Sequence, residues 1–226
     1  MRHRALLILV ALAAPAAGHA QGGPSYRALG TEPFWSVTIG GGRMVYDDPE
    51  GRRVAVRTPA ARPSFNGRRY VTRRLAVDIT RQQCSDGMSD RIFADTVLVT
   101  VDGRTLRGCG GAILPPATLQ NTSWEIVGID GVRVPGGEQY QLSFSANQVS
   151  GRAGCNSFSG RYQVGRDGFQ AGPLGMTRMA CPGPDMQHEQ AVSRILAGRV
   201  RLYYPDGQTL VMRGVAGGEI RLRRLG

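Results

Sequence analysis

The sequence predicts an α+β fold that is mostly antiparallel β, built as two β-rich domains, the C-terminal one a curved sheet with a single helix. Three observations carry this. Among 226 residues there are 32 Gly and 13 Pro, which is too much punctuation for a helical bundle and suits short strands joined by turns. Apolar residues recur at every second position in segment after segment, the period of a half-buried strand. One stretch alone, between Asp185 and Ala197, carries the 3.6-residue period of a helix. With 41% hydrophobic and 20% charged residues the chain is globular and not disordered.

The elements follow in order. Trp35, Val37 and Ile39 alternate with Ser36 and Thr38, and Gly40-Gly41-Gly42 turns the chain. Leu75, Val77 and Ile79 repeat the pattern, as do Val97, Val99 and Val101, which run into Asp102-Gly103. That pair suits a type I′ turn, whose two central residues need positive φ. Residues 113–120 lack periodicity and contain Pro115-Pro116, so they are read as a linker between a domain at 26–112 and another at 121–224. The second domain restarts at Trp124, turns at Asp130-Gly131, and alternates through Tyr140, Leu142 and Phe144. Further Asp-Gly turns stand at Asp167-Gly168 and Asp206-Gly207, and Leu210, Met212, Ile220 and Leu222 mark two closing strands. Pro184 or Asp185 opens the helix, Val192, Ile195 and Leu196 form its apolar face, and Gly198 ends it. A lone helix among hairpins is expected to cover the open mouth or face of a curved sheet.

Residues 1–20 read as a secretory signal peptide. Arg2 and Arg4 precede an uncharged apolar run from Ala5 to Ala14, Pro15 breaks it, and Gly18-His19-Ala20 offers small residues for cleavage before Gln21. The run is shorter than the roughly 20 residues that span a bilayer, so the protein is expected in the periplasm or outside the cell and not membrane-spanning. All four cysteines, Cys84, Cys109, Cys155 and Cys181, follow the leader, which in an oxidising compartment points to disulfides. Of the three possible pairings, the two-by-two grouping favours Cys84–Cys109 and Cys155–Cys181. Each bridge would contribute roughly 3 kcal/mol by loop closure. No two cysteines lie two to four apart, so no metal site is expected.

Every basic side chain is Arg, 28 in all, and the absence of Lys excludes Schiff-base chemistry and a P-loop. Without the leader, 26 Arg face 17 acidic residues. An exported protein with no aromatic-basic stacking motif is not expected to bind nucleic acid; an envelope protein, anionic lipid or lipopolysaccharide fits better. Eight arginines, including Arg68, Arg69, Arg73 and Arg74, fall within residues 52–74, which contain no acid. In a strand pair they would form one solvated ridge for an anionic partner, or else protect an edge strand. His188 is the one histidine outside the leader. His188-Glu189 resembles the start of a zinc-protease helix, but Val192 stands where the second His is needed. His188 is therefore read as a surface or cap residue. No Gly-x-Ser-x-Gly elbow exists, and Asp86 and Asp90 read as turn chemistry around Gly87. No catalytic residue and no cofactor are expected, and the protein is read as a non-enzymatic monomer.

Two resemblances sharpen this. Trp124, Phe144, the run Gly151-Arg152-Ala153-Gly154-Cys155-Asn156-Ser157-Phe158-Ser159-Gly160, Tyr162, the segment Thr177-Arg178-Met179-Ala180-Cys181-Pro182 and Glu189 together resemble the META domain of HslJ-type bacterial heat-shock proteins. The resemblance covers about Asn121 to Arg223 and implies a compact β-rich domain with one helix. It also implies a link to envelope stress and antibiotic tolerance, without established catalytic residues. Gly30-Thr31-Glu32-Pro33-Phe34-Trp35, Cys84-Ser85-Asp86-Gly87-Met88-Ser89-Asp90 and Gly108-Cys109 resemble a second bacterial envelope family found beside META domains. In physical terms Gly154 and Asn156 imply a sharp bend beside the Cys155–Cys181 bridge, where Arg178 and Glu189 are expected to pair. The sequence thus predicts a binding protein of the stressed envelope. A lipid carrier with an apolar cavity is the alternative, and an uncharacterised hydrolase the remote one.

Overall fold

The computed structural model describes residues 25–181 and 183–225. The signal peptide expected at 1–20 lies outside the described residues. Strands β1 (Tyr26–Thr31), β2 (Phe34–Gly40), β3 (Arg43–Asp47), β4 (Arg53–Arg57), β5 (Arg62–Ser64), β6 (Gly67–Val71), β7 (Leu75–Thr80), β8 (Cys84–Ser85), β9 (Ile92–Val101) and β10 (Arg104–Ile113) make one antiparallel sheet. Its order is β4-β3-β2-β1-β10-β9-β7-β6-β5, with β8 added beside β9. The alternating residues read from the sequence all point inward: Trp35, Val37, Ile39, Leu75, Val77, Ile79, Val97, Val99 and Val101 are buried in one cluster. At the β9–β10 turn Asp102 and Gly103 both take positive φ (45° and 88°), as the type I′ geometry requires.

The second sheet comprises β11 (Thr122–Ile129), β12 (Val132–Arg133), β13 (Tyr140–Phe144), β14 (Gln148–Ala153), β15 (Ser157–Gly165), β16 (Gly168–Ala171), β17 (Gly175–Met176), β18 (Arg199–Asp206), β19 (Thr209–Gly214) and β20 (Glu219–Leu225). Here β20 pairs back onto β11, so the curved sheet closes into a barrel. Closure pairs the long strands on both sides, and among the described residues the two-residue strands β12 and β17 each keep an open edge. Helix α1 (Asp185–Ala197) buries Ala191, Val192, Ile195 and Leu196 in the barrel core. Asp185 in its first turn and Arg194 in its last both suit the helix dipole, and Gly198 ends it in an extended conformation. Trp124, Tyr140, Phe144, Phe158 and Phe169 fill the barrel interior, all buried. Both disulfides stay within their own sheet's segment: Cys84 joins Cys109, and Cys155 joins Cys181, with Cα atoms 5.4 and 5.8 Å apart.

The segment read as a linker is packed and not free. Ile113 still belongs to β10, the Leu114 N–H donates to the Ile92 carbonyl, and Leu119 is buried in the barrel core. A Cβ at Gly207 would run into the Ile113 and Leu114 carbonyls, so the β18–β19 turn sits directly on this segment. Among the described residues one ion pair joins the two sheets. The Arg224 guanidinium, 2% exposed, lies over the Trp124 ring and donates to the Asp90 carboxylate at 2.7 Å and to the Asp90 carbonyl at 3.1 Å. Burying a guanidinium without its counter-charge is costly, so this contact should hold the domains together. Asp90→Ala is expected to lower thermal stability by roughly 2 kcal/mol and to broaden the melt into two steps. An unchanged single transition in calorimetry would show that the pair contributes nothing.

Candidate functional site

The C-terminal motif residues converge where α1, the β14–β15 turn and the segment after β17 meet. Gly154 takes φ +148° and lies so close to Asp185 and Glu189 that a side chain there would collide with both. This bend places Asn156, 3% exposed, beneath the helix. Its backbone N–H donates to Glu189 Oε1 at 2.8 Å and its Nδ2 to Glu189 Oε2 at 2.9 Å. The same Nδ2 donates to the Met179 carbonyl (3.0 Å) and reaches Cys181 Sγ at 3.2 Å. Asn156 Oδ1 accepts from the Thr177 hydroxyl and the Met179 N–H at 2.9 and 2.7 Å. Every hydrogen-bonding position of the amide is thereby used. Next to it Tyr140 donates to Asp185 Oδ1 (2.8 Å), and the His188 Nδ1 lies 2.8 Å from the same hydroxyl. Burial, followed by the Asp185 hydrogen bond, pushes the Tyr140 hydroxyl well above its ordinary range. His188 is half-buried on this hydroxyl and is not a plain surface residue.

The expected pairing of Arg178 with Glu189 does not form. Glu189, buried at 6% exposure, is taken by Asn156, while Arg178 is exposed. The two are separated because the Asn156 amide fits between the helix and the 177–181 segment. Arg178 instead stands on the wall of an open groove of about 720 Å³ between that segment and α1. Methionines dominate its apolar lining: Met176, Met179 (55% exposed) and Met186 (46% exposed). Ser193 and Gln190 supply polar groups on the helix side.

The N-terminal motif residues also meet, at the closed end of the β1–β2 hairpin. The Thr31 hydroxyl donates to the Asp86 carbonyl at 2.8 Å. Asp86 closes its own loop by accepting from the Met88 and Ser89 N–H groups and the Ser89 hydroxyl, with Gly87 at φ +72° completing the turn. Burial raises the Asp86 pKa, but the Ser89 and Met88 hydrogen bonds outweigh it and hold the carboxyl below its ordinary range. This is the turn chemistry read from the sequence. Trp35 is buried and stacks on Tyr46 with centroids 6.5 Å apart.

The arginines of residues 52–74 do not form one ridge. Arg53 lies on β4 and Arg62 on β5, at opposite ends of the strand order. Arg68 and Arg69 are consecutive on β6 and so face opposite sides: Arg68 lies over the Tyr26 ring at 5.2 Å, and Arg69 pairs with Asp78 at 3.7 Å. Arg73 and Arg74 occupy the β6–β7 turn, where Arg74 forks onto both Asp102 oxygens at 3.0 Å. Arg53, Arg69 and Arg74 thus find aspartates outside the run, at Asp47, Asp78 and Asp102.

Sequence reasoning passed over Asn156 as a hydrogen-bond centre and missed Met176, Met186 and Arg224. A buried Asn between Gly-Cys and a downstream Cys was the available signal for the first; the others depend on contacts across the fold. The network makes a sharp prediction. Asn156→Ala should cost roughly 3 kcal/mol, because Glu189 Oε2 and the Met179 N–H lose their side-chain partner, while the backbone N–H to Glu189 Oε1 is kept. Asn156→Asp sets a second carboxylate against Glu189, so the pair should bind a proton more tightly folded than unfolded. Its stability is then greatest in acid and falls as pH rises through the raised value of the pair. Urea melts between pH 4 and 8 check this; a pH-independent loss would contradict the geometry.

Comparison with known proteins bears on this half of the chain. Residues 117–225 match the family model described as the META domain. Among solved structures, an NMR structure of a protein from Burkholderia xenovorans is similar at 29% identity and TM-score 0.41, covering 47% of this chain and 83% of that one. A second NMR structure shows 21% identity and TM-score 0.40, covering 46% of this chain and 89% of the other. No curated protein matches. The barrel, its helix and the Asn156 network all lie within the residues that match the META domain model.

Proposed function

We propose that the protein is an exported, non-catalytic envelope protein of stress or antibiotic tolerance, which acts by binding an extended apolar segment of an envelope protein in the methionine-lined groove. The groove is the observation that carries this reading. Among the described residues strand β17 pairs only with β15, so its second edge carries no strand there and can accept one. Exposed Met179 and Met186 offer polarizable, adaptable side chains that accommodate varied apolar partners. Arg178 on the wall adds a site for a carboxylate of the bound segment. The Cys155–Cys181 bridge and Asn156 fix that wall in advance, which lowers the ordering cost of binding.

Export is supported by the leader, by two disulfides and by the finding that no helix among the described residues is long and apolar enough to cross a membrane. The lipid-carrier alternative needs an apolar cavity, whereas aromatic side chains fill the barrel interior. A hydrolase working through paired carboxylates would want them together in a cleft, and Glu189 is the one buried carboxylate residue among the described residues.

A photo-crosslinking residue at Gln190 should trap a protein partner in intact cells, while the same residue at Phe65 on the other domain should not. Met179→Asp with Met186→Asp is expected to abolish the Gln190 adduct and leave the melting temperature within a few degrees. Equal trapping at both positions, or an adduct that survives the double substitution, would overturn the groove as the site.

A further inference from the structure

The outer face of the barrel carries a feature that neither the groove nor the family match accounts for. On β18, β19 and β20 the residues Val200, Leu210, Met212, Ile220 and Leu222 point into the core. Alternation therefore turns Arg199, Arg201 and Tyr203 on β18, Arg213 on β19, and Glu219, Arg221 and Arg223 on β20 outward, while Val211, on the same side of β19, is buried. The register sets Arg201 opposite Arg213, Tyr203 opposite Val211, Val211 opposite Arg221, and Arg213 opposite Glu219. Five arginines thus share one face of three adjacent strands spaced about 4.8 Å apart. Two acids neutralise part of it: Glu219 takes Arg213 at 2.8 Å and Arg221 at 3.4 Å, and Glu125 on β11 takes Arg223. No ion pair among the described residues involves Arg199 or Arg201. Like charges set directly opposite destabilise a sheet, and of the Arg201–Arg213 pair Arg213 alone has an acidic partner among the described residues.

Apolar groups are interleaved with this charge. Tyr203 is 56% exposed, with Arg213 over its ring at 6.0 Å, and Val215, whose N–H donates to the Arg199 carbonyl, is 57% exposed. Arginine binds phosphate oxygens in bidentate fashion, and a tyrosine ring sits well at the headgroup level of a bilayer. A soluble polyanion would use the charge but not the exposed ring and valine. We infer that this face is a docking surface for the anionic phospholipid headgroups of a membrane, holding the protein against the bilayer in a peripheral manner.

Co-sedimentation of the protein lacking residues 1–20 tests this, because the apolar leader then cannot contribute. The probe is vesicles of phosphatidylcholine with phosphatidylglycerol, and pure phosphatidylcholine vesicles serve as reference. Binding is expected on the anionic vesicles at about 0.1 M salt and should disappear at about 1 M, where the Debye length is near 3 Å. Replacing Arg199→Gln, Arg201→Gln and Arg221→Gln together should weaken it about a hundredfold, at about fivefold per arginine. Arg62→Gln with Arg73→Gln, on the other domain, should leave it unchanged. Tyr203→Ser alone should weaken it severalfold and serves if the triple variant fails to fold. No binding at low salt, equal binding to both vesicles, or loss in the Arg62/Arg73 variant instead would each overturn the inference. Failure of the groove crosslink would leave this result untouched, since the two faces share no residue.

Discussion

The side chain of Asn156 ties the β14–β15 turn to helix α1 and to the segment that follows β17. Its amide takes up the Glu189 carboxylate from α1, the backbone of Met179 from the segment after β17, and the hydroxyl of Thr177. The Cys155–Cys181 bridge crosses the same gap one residue earlier in the chain. A buried polar network is stabilising only if each member is satisfied, and here every donor and acceptor of the amide has a partner. The rest depends on that condition. Without it Glu189 would be a buried carboxylate held by one backbone N–H alone, the helix would lose part of its anchor over the barrel, and the groove wall carrying Arg178 and Met179 would be free to move.

Much of the architecture was legible from periodicity alone, because burial on one face of a strand writes a period of two into the chain. Trp35, Val37 and Ile39, or Leu210 and Met212, can point inward only if their neighbours point outward. The helix was readable for the same reason at a period of 3.6. Closure of the second sheet was not readable, since it depends on β20 meeting β11 across nearly a hundred residues. The disulfide partners followed from grouping, yet Glu189 was matched to Arg178 on charge, when a neutral amide held the better geometry. Arg68 and Arg69 show a related error. Charge density along the chain says nothing of facing, and consecutive residues on a strand never share a side.

Facing also explains why the arginines of the two domains differ in meaning. In the N-terminal sheet Arg53, Arg69 and Arg74 each find an aspartate, and Arg68 turns onto an aromatic ring. Surface pairs of this kind contribute little to stability, and they scatter the charge over both faces and the turn of the sheet. On the barrel the alternation of β18 and β20 collects arginines on one side in excess of Glu219 and Glu125. The groove and this basic face lie on different elements, so a protein segment and a membrane surface could be engaged together. The Arg224–Asp90 contact would then set how the N-terminal sheet is presented.

The most direct measurement is backbone amide hydrogen exchange at Asn156 and Met179. Both N–H groups lie outside the regular ladders, and each donates to a side chain of the network, Glu189 Oε1 and Asn156 Oδ1. If the network organises the barrel, both should exchange as slowly as the core strand amides of Leu142 and Met212, through global unfolding alone. Exchange at the rate of an exposed loop, with the core strands still protected, would show that the network is a surface ornament and would contradict the account.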